Sequence, residues 1–102
     1  YLLDTHTAVA WNVAERYREK SGAKNPLVVV STASPFKFCQ SVLEALGETE
    51  FAAGTDIIAQ LAEKTGKTAP APLAGLAGKA VHFTDVTGKD EMEGKVTEFL
   101  RA

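Results

Sequence analysis

Leu27-Val28-Val29-Val30-Ser31-Thr32-Ala33-Ser34-Pro35 is the stretch whose reading decides the fold. Four consecutive apolar residues without polar alternation predict a strand buried on both faces, as in a parallel sheet. Ser31 to Ser34 break that run. Ser34-Pro35 then opens a helix, with a hydroxyl at the N-cap and proline at the first helical position. Phe36, Cys39, Val42, Leu43 and Leu46 follow at helical spacing, and Gly47 ends the stripe. Leu27 to Leu46 therefore reads as strand, tight turn and helix.

Working outward, Asp4 to Lys20 reads as a helix that Asp4 caps and Gly22 stops, with Ala10, Val13, Ala14 and Tyr17 recurring at helical spacing. Arg16, Arg18 and Lys20 place positive charge where the helix dipole favours it. A third helix fits Thr55 to Lys64, capped by Thr55, with Ile57, Ile58, Leu61 and Ala62 on one face and Gly66 as its stop. Pro70, Pro72, Gly75 and Gly78 make 67–79 an irregular connection with a helical turn. Ala80 to Thr84 alternates Val81 and Phe83 with His82 and Thr84, which predicts a short strand. Asp85 to Gly88 turns the chain. Asp90 with Glu93 forms a capping-box-like start to a last helix, whose buried stripe is Met92, Val96, Phe99 and Leu100. The order is helix, strand, helix, helix, strand, helix. It predicts an α/β fold, the C-terminal part of an open sheet domain flanked by helices, because two strands alone cannot cover four amphipathic helices. No internal repeat and no second domain are visible, so 1–102 reads as a single unit.

Composition excludes several classes. Of 102 residues, 45% are hydrophobic and 24% charged, and 11 Lys+Arg against 13 Asp+Glu leave a formal charge of −2. A disordered tract needs fewer apolar residues. Apolar runs of four or five residues fall far short of the roughly 20 that cross a bilayer, and no basic surplus points to nucleic acid. The single cysteine, Cys39, makes neither an internal disulfide nor a multi-thiolate metal site, which favours a reducing, cytoplasmic setting. With Tyr1 as first residue and no signal-peptide pattern, the chain is expected to be a piece of something longer.

The chemistry is expected at Ser31-Thr32-Ala33-Ser34. That turn sits at the carboxyl end of one strand and the amino end of a helix, where open α/β sheets bind ligands. Plain turn formation and capping account for the same hydroxyls and remain the alternative. His6 and Thr7 lie in the first turn of helix one beside Asp4; His6 either donates a hydrogen bond within a cleft or is satisfied by a backbone carbonyl. Lys37 stands at a helix start that disfavours cations, so it either meets a carboxylate or phosphate or is simply solvated. Cys39 falls on the apolar stripe and reads as core. His82 reads as a surface residue, and no histidine has metal-ligand spacing with carboxylates, so no metal site is expected. Trp11 lies off the main stripe and marks a contact with another part of a larger chain.

Two of these strings resemble one family. Tyr1-Leu2-Leu3-Asp4-Thr5-His6-Thr7-Ala8-Val9-Ala10 is similar to the D-P-H-T-A-V-A segment of threonine synthases, and Val28 to Phe38, reading VVVSTASPFKF, resembles their STA-x-P-x-KF segment. The order and spacing match, covering the first 46 residues, and the helix from Asp90 to Leu100 resembles the family's terminal helix. Thr5 stands where the family has proline, and Ser34 where histidine is frequent. Both changes leave a helix start intact.

The resemblance implies a fold type II pyridoxal-phosphate enzyme, a cytoplasmic lyase of threonine biosynthesis that converts O-phospho-L-homoserine and water to L-threonine and phosphate. In such enzymes a lysine holds the cofactor as a Schiff base and a hydroxyl faces its pyridine nitrogen. By position that hydroxyl is Thr32, with Ser31 second. His6, Thr7 and Lys37 are implied substrate-side or structural residues near the site. The catalytic lysine and the glycine-rich phosphate loop belong to the family's N-terminal part. The implied partners are that N-terminal part and a small amino-acid substrate, with no nucleic acid and no membrane. The segment alone is expected to be inactive and prone to self-association. The alternatives are a stand-alone α/β module that binds a ligand or partner through the hydroxyl-rich turn, and a pyridoxal-phosphate enzyme of another activity, such as a dehydratase.

Overall fold

Helix α1 (Thr5–Ser21) begins where the sequence places it, because Asp4 adopts an extended backbone and its carboxylate accepts from the amides of His6 and Thr7. It ends at Gly22, whose φ of 66° is left-handed and whose N–H donates to the Arg18 carbonyl at 2.9 Å. The computed structural model describes residues 1–101 of the chain.

The α/β expectation is overturned: among the described residues there is no strand and no sheet. Leu27 to Val30 is unpaired and runs beside α1, lining a shallow groove with Ala10, Val13, Ala14 and Tyr17. Val28 is 87% and Val30 70% exposed. The residues from Ala80 to Thr84 are likewise unpaired and exposed. The physical reason is that strand preference describes how a side chain fits a pleated, half-covered surface. Two short segments far apart have no neighbouring ladder to complete, and an isolated strand has no stability of its own.

The core is helical. A 3-10 turn (Pro35–Lys37) follows Ser34, whose hydroxyl accepts from the Phe36 amide at 3.3 Å. Helix α2 spans Cys39–Ala45. The sequence predicts one helix across both, but Phe38 interrupts it at φ −129°, ψ 41°. The backbone stays satisfied at the break: the Phe38 N–H donates to the Pro35 carbonyl and its own carbonyl accepts from Val42. Helix α3 (Asp56–Thr65) packs across α2, and the short α4 (Ala71–Ala74), followed by a 3-10 turn (Gly75–Gly78), closes the lower side. Phe36, Cys39, Val42, Leu43, Ile58 and Leu61 are buried together, flanked by Leu2, Phe38 and Leu73. Leu43 and Leu61 are fully enclosed, each worth about 2 kcal/mol of transfer free energy.

Thr55 stands at the N-cap of α3 but its side chain makes no capping bond, so the expected hydroxyl cap is corrected; instead the Asp56 amide donates to the Ala53 carbonyl at 3.2 Å. The side-chain amide of Gln60 clasps the preceding loop, accepting from the Ala52 N–H and donating to the Glu50 carbonyl, both at 2.9 Å. Lys64 pairs with Glu48 across the same loop.

The last helix, α5 (Met92–Arg101), follows a 3-10 turn at Lys89–Glu91. Its start is held by Glu91, which accepts from the Thr87 hydroxyl at 3.1 Å and the Gly88 amide at 3.4 Å; the expected Asp90–Glu93 pairing gives way to this one. The predicted buried stripe is also corrected: Met92, Val96, Phe99 and Leu100 are all exposed. Only the thin segment from His82 to Thr87 lies alongside, sharing a shallow groove with Val96, Phe99 and Leu100, and it leaves them exposed because the chain is open. Its radius of gyration is 19.2 Å, where a close-packed domain of this length has about 13 Å. Its accessible surface is 8378 Å², where a compact monomer of 10.9 kDa exposes about 5,600 Å².

Candidate hydroxyl cleft

The two strings singled out in the sequence meet at Asp4. Its carboxylate is 1% exposed and is reached from several sides. One oxygen accepts from the His6 amide at 3.0 Å and the Thr7 amide at 3.3 Å and lies 3.3 Å from His6 Nδ1. The other accepts from the Thr7 hydroxyl. The Thr7 hydroxyl hydrogen bond, helped by the two amides and the imidazole, holds the Asp4 carboxyl below its usual range against the opposing effect of burial.

Thr7 is itself 5% exposed, and its Oγ1 lies 3.2 Å from Ser31 Oγ, within hydrogen-bond distance. Asp4, Thr7 and Ser31 thus form a continuous line from the buried cap of α1 to the hydroxyl-rich turn. Beside that line opens a cleft of about 580 Å³ lined by Tyr1, Leu3, Thr7, Trp11, Val29 and Ser31. Its walls are mainly aromatic and aliphatic, and Thr7 and Ser31 bring hydroxyls to it. Such a pairing of apolar walls with a few placed polar groups is what small-molecule sites present.

The structure brings Thr7 and Ser31 together, with His6 on the far side of Asp4. His6 is exposed, and its ring stands against Phe38. Thr32 is exposed one residue past Ser31 and does not line this cleft. Lys37 is exposed on the 3-10 turn and lines a different depression, over Phe36, Phe38 and Ile57. Cys39 is buried, its Sγ donating to the Phe36 carbonyl at 3.1 Å, and burial pushes its thiol up. His82 is exposed. Among the described residues no three of His, Cys, Asp and Glu converge as a metal would require, and no helix is long and apolar enough to cross a membrane.

Sequence reasoning saw Asp4 as a cap and missed its bond to the Thr7 side chain. A signal was present: aspartate at an N-cap with a hydroxyl residue three positions on is a pair that reaches itself across one turn. Trp11 as a cleft wall could not be assigned, because its partner Ser31 is distant in sequence and only the docking of α1 brings them together.

Fold and cleft together define a helical segment that carries a hydroxyl-bearing cleft on an open surface. A family model described as "Threonine synthase, C-terminal" matches residues 7–99, and the chain belongs to that family. It is similar to the threonine synthase of Corynebacterium glutamicum, 40% identical over 47 residues, which is 46% of this chain and 9% of that protein. It is also similar to threonine synthase-like 1 of Mus musculus, 44% identical over 50 residues, 49% of this chain and 6% of that protein. Threonine synthase-like 1 of Pongo abelii is 48% identical over 46 residues, 45% of this chain and 6% of that protein. The matches therefore span less than a tenth of these curated relatives. No solved structure matches the chain.

Proposed function

We propose that the chain is the C-terminal segment of a cytoplasmic, pyridoxal-phosphate-dependent threonine synthase, the lyase that forms L-threonine and phosphate from O-phospho-L-homoserine and water. The observation that carries this reading is the family match over residues 7–99. The donor set fits the cofactor's ring side: the Ser31 hydroxyl in the cleft, with that of Thr32 next to it in sequence, suits a pyridine nitrogen, and the Trp11 and Val29 walls suit a flat apolar ring. When bound, pyridoxal phosphate supplies an electron sink for charge developing on the substrate carbon.

The chain's own share is binding and orientation. Ser31 or Thr32 would hydrogen-bond the ring nitrogen, Thr7 fixes Ser31 through their 3.2 Å contact, and Trp11 would form an apolar wall beside the ring. His6 and Lys37, both exposed beside the joined strings, are the substrate-side or supporting groups. The catalytic lysine and the phosphate-binding loop come from the remainder of the enzyme, which is this segment's principal partner. The segment alone is inactive.

The test is turnover by the purified full-length protein that carries this segment. Incubated with O-phospho-L-homoserine, it is expected to release threonine and phosphate in equal amounts. Release of ammonia from threonine or serine, without phosphohomoserine turnover, would assign a dehydratase instead. No turnover of any of these would overturn the reading.

A further inference from the structure

Among the described residues, the six buried apolar side chains all lie between Phe36 and Leu61, and none from 79 to 101 is buried. Yet that last stretch carries an amphipathic helix. Met92, Val96, Phe99 and Leu100 fall on one face of α5, and Phe83 joins the last three along a groove of about 420 Å³. A helix of ten residues is marginal in water unless an apolar face is packed. Lys95, which also lines the groove, is already paired with Glu98 at 3.2 Å and Asp85 at 3.8 Å. Its charge calls for no further partner, so the groove suits an apolar cover.

A second copy of the chain fits that face poorly. Ten helical residues are about 15 Å long, short of the three or four heptads over which a paired-helix seam is sustained. The uncovered area is also too large. The chain exposes roughly 2,800 Å² more than a compact monomer of its mass, whereas a standard interface covers about 800 Å² on each partner. Its exposed apolar residues sit on separate elements: Trp11 and Val13 on α1, Val28 and Val30 before the 3-10 turn, and Phe83 with the α5 stripe. A two-fold contact covers one patch, but a continuing chain covers several. The matches span less than a tenth of the curated relatives, and the matching family model is a C-terminal one, so the remaining chain precedes this segment. We propose that α5 and the segment from His82 to Thr87 form a docking arm. Its apolar face of Phe83, Val96, Phe99 and Leu100 packs on an apolar surface of the preceding part of the same polypeptide. The unit around Leu43 and Leu61 has its own core; the arm has none and takes its cover from the body it joins. This rests on the reading of the chain as a C-terminal segment of a longer enzyme and adds the face by which the segment is held.

The test is thiol labelling of the full-length protein, which needs neither cofactor nor substrate. Phe99→Cys, Leu100→Cys and Arg101→Cys, the last on the opposite side of α5, are each treated with N-ethylmaleimide under native conditions and read by peptide mass mapping. Phe99→Cys and Leu100→Cys are expected to react about 100-fold more slowly than Arg101→Cys, at rates independent of protein concentration. Comparable rates at the three positions overturn the proposal, since Phe99 and Leu100 are 69% and 77% exposed in the segment itself. Protection that is lost on dilution, with a dimer seen by light scattering, overturns it in favour of a second copy. Where a variant fails to fold, the wild-type protein decides. Its amides from Thr97 to Leu100 are expected to exchange about 100-fold more slowly than in the unfolded chain, and unprotected exchange overturns the docking. A protein that shields this face but turns over no phosphohomoserine supports the docking and removes the threonine synthase assignment. An active protein with all three positions labelled alike does the reverse.

Discussion

The imidazole of His6 stands 5.0 Å from the ring of Phe38, centroid to centroid, with the two planes inclined at 59°. That tilted contact joins the first turn of α1 to the residue at which the expected helix from Pro35 breaks. Phe38 leaves helical backbone at φ −129° and rests against both His6 and the core. Aromatic pairs in this geometry are worth about 1 kcal/mol beyond their buried area. Leu2, just before α1, packs on the same core, and Thr7 of α1 meets Ser31 in the turn that leads into the helical unit.

The helical unit is small enough that one core side chain decides it. Leu43 of α2 is fully enclosed against α3, one of six buried apolar residues among those described. Leu43→Ala is expected to cost about 3 kcal/mol, from lost transfer energy and the cavity left behind. Urea titration of the 102-residue chain followed by far-ultraviolet circular dichroism checks it. A midpoint unchanged from wild type would show that α2 and α3 do not depend on this packing.

Local signals in the sequence were legible where the physics is local. Asp4 and Gly22 bound α1, and Gly66 ends α3, because caps act within one turn. The strands were misread because Leu27-Val28-Val29-Val30 states only a preference for a covered, paired setting, and pairing depends on what lies alongside. The same holds for Met92, Val96, Phe99 and Leu100, an apolar stripe that the thin segment from His82 to Thr87 borders without covering. At the cleft, the hydroxyls of Ser31 and Thr32 were visible as a candidate. Which of them faces Thr7 depends on how α1 docks, and no local pattern encodes that.

Two glycines separate backbone strain from chain entropy. Gly66 ends α3 at φ 64°, a left-handed conformation that costs an L-residue about 1 kcal/mol. Gly75 sits at φ −81°, ψ 0°, with nothing within 4 Å of where a Cβ would be. Gly66→Ala is expected to lower stability by about 1 kcal/mol, and Gly75→Ala to raise it by about 0.5 kcal/mol through a less flexible unfolded chain. Parallel urea titrations check the pair; equal effects of the same sign would refute the distinction.

Stability should depend on acid through Asp4. Its folded carboxyl titrates below its ordinary value of 3.8, chiefly because the Thr7 hydroxyl bonds the charged form. A group lowered on folding contributes stability that is fully present above the unfolded value and is lost as pH falls through the folded one. The α1 signal is therefore expected to hold above the ordinary value of 3.8 and to decline as pH falls below it. Asp4→Asn removes this particular decline while keeping the cap. Amide exchange of His6 and Thr7, measured across that range in both proteins, reads the effect. Equal acid sensitivity in the two would place the cause at another carboxylate.

The 102-residue chain by itself should not hold pyridoxal phosphate covalently. An amine that attacks the cofactor aldehyde must be unprotonated near neutral pH, which proteins arrange by desolvating it or setting it beside another cation. All eight lysines of the chain are exposed: 20, 24, 37, 64, 67, 79, 89 and 95. Lys95 is driven the wrong way, since the Glu98 carboxylate bonded to it at 3.2 Å, together with Asp85, holds its ammonium above the usual range. Lys37 lies nearest in sequence to the hydroxyl turn but lines a different depression from Ser31. Borohydride reduction in the presence of added cofactor, followed by peptide mass mapping, is expected to find at most sparse labelling spread over several surface lysines. Stoichiometric labelling of one lysine, abolished when that lysine is replaced by arginine, would show that the segment builds an amine site of its own.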